Sequence, residues 1–276
     1  MKNRLLKISV FLLFFIIVIV IFVISMYNRK QYNYTDVQVP VLIYHHFLSD
    51  DEKEAYEPEK NYSVKVSTFE KQMKYLHDNG YKSLTPEEML CWKKKKCKIP
   101  EKSFMVTIDD GQKSVLRYAM PILKKYGFTA ISFIITSRSK DEREEWNPKI
   151  YQYISSEELK GDNNAIYFGS HSHDMHSMVE DKKKLYTMTY DEIYKDVVTS
   201  KDILDTYYFA YPYNTYNKDF TQALKDAGYE LAFRGQSRKT IQSEDRLMIS
   251  RIFVSDNMES FYEIFETTKY NQEVGG

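Results

Sequence analysis

The stretch Phe104-Met105-Val106-Thr107-Ile108-Asp109-Asp110-Gly111 indicates both the fold and the place of its chemistry. The stretch begins with apolar and β-branched residues, which is typical of a buried strand, and Gly111 predicts the turn that ends it. Two carboxylates therefore follow the end of a strand, where α/β folds usually keep their functional groups. Because neighbouring strand residues point to opposite sides, Asp109 and Asp110 should do different work, one holding a metal and the other acting as a base.

Short apolar runs alternate with helical patterns along most of the chain. Val39–Tyr44 predicts the first strand and Met248–Val254 the last. Ser67-Thr68-Phe69-Glu70 has the pattern of a capping box and predicts that a helix begins there. The segment 136–165 is charged and irregular, and we expect a long surface insertion. Strands that alternate with helices predict a parallel α/β sheet or barrel rather than an all-β fold.

The N-terminal region carries the clearest compositional signal. No charged residue occurs between Ile8 and Tyr27, and an apolar helix of that length can span the hydrocarbon core of a bilayer. Lys2, Arg4 and Lys7 precede it, which favours a cytoplasmic N-terminus. We therefore expect a single-pass membrane anchor with the rest of the chain outside the cytoplasm. The alternative is a cleaved signal peptide and a secreted protein.

Length and charge limit what the remainder can be. The formal net charge is zero, so no basic surface indicates nucleic-acid binding. Cys91 and Cys97 either close a small disulfide loop outside the cytoplasm or remain as two free buried thiols. The predicted organisation is an anchor or uncleaved signal over 1–27, a linker over 28–37, a catalytic domain over 38–268 and a polar tail over 269–276.

Three of the six histidines fall within Gly169–His176. Five residues turn an α-helix by about 500°, so His171 and His176 cannot share one helix face. Their spacing fits a strand end and a tight turn that folds back onto one ion, and His173 competes for this role because it shares a strand face with His171. Two imidazoles and one carboxylate of the acidic pair make a three-ligand site with open positions, as in catalytic metal centres. The remaining carboxylate is then a general base for hydrolysis.

Three motifs, in this order, resemble those of the polysaccharide deacetylases, carbohydrate esterase family 4. Thr107–Gly111 resembles the T-F-D-D-G motif, His171–His176 the second motif, and Phe209-Ala210-Tyr211-Pro212-Tyr213-Asn214 the third. The spacing of the two histidines is closest to the subgroup that deacetylates poly-β-1,6-N-acetyl-D-glucosamine, the biofilm adhesin. Asn61-Tyr62-Ser63-Val64 and Ile249–Asp256 also resemble that subgroup, and the resemblance covers about residues 38 to 265.

This resemblance implies a distorted (β/α) barrel with fewer than eight repeats, here preceded by one N-terminal transmembrane helix. It implies that Asp109 is the general base and that the backbone N–H of Tyr213 helps to hold the oxyanion. The expected cofactor is a divalent transition metal, Zn²⁺ first, with Ni²⁺, Co²⁺ or Fe²⁺ as alternatives. The implied metal ligands are Asp110, His171 and His176. The residues expected to contact substrate are His45, His173, Tyr211 and Pro212.

The chain departs from the family pattern in three places. Ala210 stands where the third motif usually has the arginine that orients the base, and we expect Arg251 to take over that role. Asn214 replaces the glycine of the motif, which is tolerable because asparagine accepts a left-handed backbone. No histidine follows His176, so the usual late general acid of the family is absent and slow turnover is expected.

The predicted function is metal-dependent N-deacetylation of a β-linked N-acetylglucosamine exopolysaccharide at the cell surface, with release of acetate. The expected partners are the polymer, the membrane through residues 8–27 and an exopolysaccharide synthase complex. One alternative is a peptidoglycan N-acetylglucosamine deacetylase, and another is an inactive sugar-binding module on the same fold. A non-haem iron oxygenase uses the same ligand types, but its jelly-roll architecture disagrees with the alternating pattern.

Overall fold

The computed structural model describes residues 16–20, 37–57 and 62–271. The chain divides into two units, Met1–Val37 and Gln38–Gly276, and every element named below belongs to the second. The predicted anchor over 8–27 lies outside the described residues, apart from the helical stretch 16–20. Within the described ranges, no helix combines the length and the apolar character that crossing a membrane requires.

Seven parallel strands of the described chain close into a barrel. The strands are β1 Val41–Tyr44, β2 His46–Leu48, β3 Ser63–Lys65, β4 Lys82–Ser83, β5 Ser103–Ile108, β6 Ala130–Ile134, β7 Ile166–Ser170, β8 Met178–Val179, β9 Lys182–Lys183, β10 Tyr208–Ala210, β11 Leu231–Gly235 and β12 Ile249–Phe253. The barrel order is β1-β12-β11-β10-β7-β6-β5, and β5 pairs back onto β1. The short strand β4 flanks β5, and the pairs β2–β3 and β8–β9 lie outside the barrel. The expectation of a parallel barrel with fewer than eight repeats is confirmed.

Helices pack around the barrel. They are α1 Asp50–Tyr56, α2 Val66–Asp78, α3 Pro86–Lys93, α4 Met120–Tyr126, α5 Ser156–Leu159, α6 Tyr190–Leu204, α7 Lys218–Asp226 and α8 Met258–Glu266, with a π-helical segment, Val115–Ala119, leading into α4. The apolar residues of α2 that recur at helical spacing, Phe69, Met73 and Leu76, are fully buried in the core. The hydrophobic core between barrel and helices therefore follows from the 3.6-residue period of the sequence.

The start of α2 differs from its prediction. The helix begins at Val66, and its N-cap residue Lys65 makes no side-chain capping bond. The hydroxyl of Ser67 instead donates to the carboxylate of Asp50 at 2.7 Å. The backbone N–H of Lys65 donates to Asp256 at 2.8 Å. The capping box at Ser67 was wrong because contacts with distant elements replace the local cap.

The disulfide alternative for the two cysteines is confirmed. Cys91 of α3 is bonded to Cys97, which follows the helix. Thr85 caps this helix through a capping box with Glu88. The helix and its loop are thus fixed at both ends by short-range bonds.

One end of the barrel collects the polar residues that the sequence analysis singled out. The acidic pair follows β5, His171 follows β7, and the third motif begins in β10 and continues beyond its end. His45 follows β1 in the same way. Because the strands are parallel, their carboxyl ends meet at one face, which is where barrels of this kind carry their sites.

Candidate active site

The two adjacent carboxylates point in different directions. β5 ends at Ile108, and the backbone of Asp110 and Gly111 then turns left-handed, with φ of 72° and 67°. A Cβ at Gly111 would lie 2.9 Å from the Cδ1 atom of Ile134, so only glycine fits this turn without displacement. Asp109 stays against the barrel, where its N–H donates to the carbonyl of Tyr44 at 2.9 Å. The turn therefore gives the two acids separate surroundings.

Asp110 lies beside the two histidines that are five residues apart. Its Oδ1 atom is 3.3 Å from Nε2 of His176 and 3.6 Å from Nε2 of His171. One ligand atom from each of the three residues lies within 4.8 Å of the others. The structure thus brings together the three residues that the resemblance implied as metal ligands.

Both histidines are held in the neutral form that metal ligands require. Burial lowers the pKa of His171, and its Nδ1–H donates to the carbonyl of Ala210 at 2.8 Å. This bond leaves the Nε2 lone pair facing Asp110. Burial, with the nearby His171, lowers the pKa of His176 to about 4. Neutral imidazoles are therefore available at neutral pH.

The donor set fits a divalent transition metal. Oδ1 of Asp110 and Nδ1 of His176 are buried and have no hydrogen-bond partner among the described residues. A buried carboxylate oxygen without a donor is costly unless a cation compensates it. One carboxylate and two imidazole nitrogens are the ligand types that zinc and related ions accept.

Asp109 is bound by Arg251 of β12. The Nη1 and Nη2 atoms of Arg251 donate to Oδ1 and Oδ2 of Asp109 at 2.7 and 2.9 Å. Nη1 also donates to the Thr107 hydroxyl at 3.1 Å, and the arginine is 2% exposed. Burial raises the pKa of Asp109, but Arg251 outweighs it and holds this pKa well below its usual range. The carboxylate is therefore ionised whenever the protein is folded at neutral pH.

These groups open onto a cavity of about 460 Å³. Its wall includes six aromatic side chains: Tyr62, Tyr151, Tyr153, Tyr211, Tyr213 and Phe253. The ring of Tyr213 lies over His176 with a centroid distance of 4.0 Å. Apolar rings around a few polar groups are typical of ligand pockets, and flat rings suit the faces of sugars.

The other predicted substrate residues lie in different places. His45 lines the cavity, as does Tyr211, whose hydroxyl donates to the Leu247 carbonyl at 2.9 Å and whose ring is 1% exposed. Pro212 is buried and is not part of the lining. His173 is also outside the lining, and its Nδ1 bonds the Thr136 hydroxyl at 2.9 Å.

The position of His173 has a simple cause. Ser172 has a φ of 74°, which breaks the strand alternation on which the competition between His171 and His173 was predicted. The backbone leaves the strand at this residue, so the two histidines no longer share a face. His173 therefore does not contact the cavity or the ligand atoms.

Sequence reasoning missed three further cavity residues in the irregular segment 136–165, namely Arg138, Tyr151 and Tyr153. Arg138 and Tyr153 both line the cavity, and Nη1 of Arg138 donates to the Tyr153 hydroxyl at 2.9 Å. Nη2 donates to the backbone carbonyl of His176 at 2.6 Å. The closeness of this segment to a strand end was the signal available, because loops after barrel strands carry functional residues.

Comparison with known proteins agrees with this geometry. The sequence pattern of polysaccharide deacetylases matches residues 93–232. A poly-β-1,6-N-acetyl-D-glucosamine N-deacetylase of Staphylococcus aureus strain MRSA252 is 35% identical over 211 residues, which is 72% of this chain and 70% of that protein. The Staphylococcus epidermidis protein of the same name is 30% identical over 207 residues, with coverage of 72% and 70%.

Solved structures share the fold. The Streptococcus pyogenes deacetylase PplD in complex with acetate superposes with a TM-score of 0.70 at 24% identity, covering 83% of this chain and 99% of that one. IcaB from Ammonifex degensii has a TM-score of 0.66 at 25% identity, with coverage of 83% and 96%. The family pattern, the staphylococcal relatives and the barrel agree, and the chain belongs to the polysaccharide deacetylase family.

Proposed function

We propose that this enzyme hydrolyses the N-acetyl groups of poly-β-1,6-N-acetyl-D-glucosamine and releases acetate. The observation that carries the proposal is the Asp109–Arg251 pair beside the cluster of Asp110, His171 and His176. An ionised base next to a set of metal donors is an arrangement for hydrolysis. The names of the staphylococcal relatives support the choice of polymer.

Asp110, His171 and His176 are the residues that would hold the metal. A divalent ion there supplies Lewis-acid chemistry, because it polarises an acyl carbonyl and makes water more acidic. His171 is fixed for this role by its bond to Ala210. The zinc ion of the sequence prediction remains our proposal, since the same donors accept other transition metals.

Asp109 is proposed as the general base. It takes a proton from water as the water oxygen bonds to the acyl carbon and the π electrons of the carbonyl move onto its oxygen. Those electrons re-form the carbonyl when the bond from the acyl carbon to nitrogen breaks. Arg251 keeps both carboxylate oxygens in place and ionised, but the same pairing makes the carboxylate a weak base. Proton transfer therefore depends on water whose own pKa is lowered. The base and the metal donors must act together.

The leaving nitrogen needs a proton when its bond to the acyl carbon breaks, and His45 can supply it. Two histidines besides the ligands line the cavity. Nδ1 of His46 bonds the Ser114 hydroxyl at 3.0 Å, and its ring meets Tyr151 edge-on. Nδ1 of His45 has no hydrogen-bond partner in the described part of the chain. His45 can donate a proton to this nitrogen, which leaves a glucosamine amine and acetate.

We propose that the enzyme works outside the cytoplasm, attached through residues 8–27. Support comes from the uncharged stretch with basic residues before it, and from the Cys91–Cys97 disulfide, which is typical of extracytoplasmic proteins. The substrate is then reached at the cell surface. Association with an exopolysaccharide synthase complex remains a prediction from the sequence.

The deciding experiment incubates the full-length enzyme, loaded with Zn²⁺, with β-1,6-linked N-acetylglucosamine oligomers and separately with peptidoglycan. Free amine and released acetate are both measured, and Asp109→Asn is the matched control. Activity on the oligomers that the variant lacks supports the proposal. Activity on peptidoglycan alone keeps the chemistry and overturns the substrate. Metal binding without any hydrolysis indicates a sugar-binding module.

A further inference from the structure

The turn 172–176 carries the last of the three metal donors. It starts at Ser172 and passes through two residues whose backbone N–H groups have left the sheet. The N–H groups of His173 and Asp174 donate to the two carboxylate oxygens of Asp196 at 2.7 and 2.8 Å. Asp196 comes from α6 and is 8% exposed. One buried carboxylate thus holds the middle of the turn.

A half-buried cation holds the other end of the same turn. Nη2 of Arg138 donates to the backbone carbonyl of His176 at 2.6 Å. Arg138 belongs to the single 3-10 turn that follows β6. The turn is therefore bound between an acid from a helix and a base from a neighbouring loop, and neither side chain is a metal ligand.

His176 depends on this support more than His171 does. Nδ1 of His171 is fixed by the Ala210 carbonyl, whereas Nδ1 of His176 has no hydrogen-bond partner among the described residues. Stacking on Tyr213 restricts the tilt of the His176 ring but offers no directional bond. The position of its Nε2 atom relative to Asp110 is consequently set by the backbone of the turn.

We propose that Asp196 and Arg138 are positioning residues that set the metal affinity of the site by fixing the backbone of His176. The inference rests on the metal-dependent function proposed above. Partners that orient metal-binding histidines typically contribute ten- to a hundredfold to metal affinity. Here they act on the main chain of the ligand instead of on its ring.

The test measures Zn²⁺ affinity of the full-length protein by competition with a chromophoric chelator. We expect Asp196→Ala and Arg138→Gln each to lower the Zn²⁺ affinity by about tenfold or more. Asp196→Asn should rescue part of the loss, because its amide oxygen accepts one of the two N–H bonds. Asp202→Asn, at an exposed position of α6, and Arg143→Gln, at an exposed position of the same segment as Arg138, are matched controls that leave these bonds in place, and their affinity should equal that of the unmodified protein.

A spectroscopic readout separates positioning from general loss of structure. In the Co²⁺-substituted protein, the visible ligand-field spectrum should shift in Asp196→Asn and Arg138→Gln while the metal-free proteins unfold at similar temperatures. Unchanged affinity and spectrum in these variants, or an equal loss in Asp202→Asn, would overturn the inference. His176→Ala is the reference: if it binds Zn²⁺ as tightly as the unmodified protein, the proposed metal centre itself fails.

Discussion

Arg251 reaches Asp109 across one intervening strand. The arginine lies on β12 and the aspartate follows β5, and β1 stands between those strands in the barrel. The two residues are 142 positions apart in sequence. Both are nearly excluded from solvent, with side chains 2% and 7% exposed. An arginine from the last strand thus holds the Asp109 carboxylate without an arginine in the third motif, where this chain has Ala210.

Removal of this arginine should affect both activity and folding. We expect Arg251→Ala to lower kcat about 100-fold, because the general base loses its orientation. The free energy of unfolding should fall by about 3 kcal/mol, because an unpaired carboxylate is left buried. Arg251→Lys keeps the charge but not the paired bonds. Its kcat and its free energy of unfolding should therefore lie between those of the unmodified protein and those of Arg251→Ala. Steady-state kinetics and thermal unfolding measure the two effects, and full activity of Arg251→Ala would contradict the assignment.

The two adjacent aspartates should separate chemistry from metal binding. Asp109→Asn removes the base but no metal donor, so we expect activity to fall at least 100-fold with Zn²⁺ affinity unchanged. Asp110→Asn removes a donor and should weaken Zn²⁺ binding as well as activity. Chelator competition and acetate release on the same preparations give both quantities. Equal loss of metal affinity in the two variants would mean that the carboxylates share one role.

The role of His45 depends on the leaving group. An amide needs a proton on nitrogen when the bond breaks, whereas the aryl oxide of an acetate ester such as 4-nitrophenyl acetate leaves without one. His45→Asn should therefore lose deacetylation of the oligomers about 100-fold and keep most of its aryl-ester hydrolysis. Comparison of the two substrates with one variant makes the measurement internally controlled. A similar loss on both substrates would assign His45 to substrate binding or structure.

Most of the proposed metal ligands could be predicted from the sequence, because the relevant residues are close together in the chain. Asp109 and Asp110 directly follow an apolar strand, and His171 and His176 lie within one turn. A parallel barrel then brings strand ends to a single face. The pairing of Arg251 with the base could be expected only because the usual arginine position holds Ala210.

What the sequence could not predict depends on contacts between distant segments. The left-handed backbone of Ser172 places His173 outside the site. Serine has no strong preference for this backbone conformation, so the sequence does not predict it. Arg138 lies in a segment without periodicity, and its bond to the carbonyl of His176 joins two segments that are distant in the sequence. The false capping box at Ser67 had the right residue types, but Asp50 binds its hydroxyl.

Two glycines with the same backbone conformation provide a controlled test of the acidic turn. Gly111 and Gly127 have φ of 67° and 68°. The strained backbone of an alanine at either position should therefore lower the free energy of unfolding by about 1–2 kcal/mol. A Cβ at Gly127 meets nothing within 4 Å, while at Gly111 it meets Cδ1 and Cα of Ile134 at 2.9 and 3.2 Å. We expect Gly111→Ala to lose clearly more stability than Gly127→Ala in chemical denaturation. Only Gly111→Ala should also weaken Zn²⁺ binding, because Asp110 precedes it.

Lys93 should make the protein more stable as the pH rises above 8. Burial of Lys93 outweighs the attraction of Glu244 and lowers the pKa of this lysine from 10.5 to about 8. Between those values the unfolded chain binds a proton that the folded chain has lost, so the free energy of unfolding increases with pH. From pH 8 to 9.5 we expect Lys93 to add about 1 kcal/mol per pH unit. Below pH 8 Lys93 no longer makes the free energy of unfolding depend on pH, because the lysine is protonated in both the folded and the unfolded state.

The contribution of Lys93 can be isolated by subtracting two stability profiles. Urea unfolding of the unmodified protein and of Lys93→Met is measured every half unit from pH 7 to 9.5, below the ordinary pKa of tyrosine, about 10. The difference between the profiles should slope upward with pH, since Lys93→Met cannot release the proton. Lys102→Met, at an exposed lysine that donates to the Asn79 carbonyl, should give no such slope. A flat difference for Lys93→Met would mean that its bonds to Thr240, Ile241 and Glu244 keep the ammonium charged inside the fold.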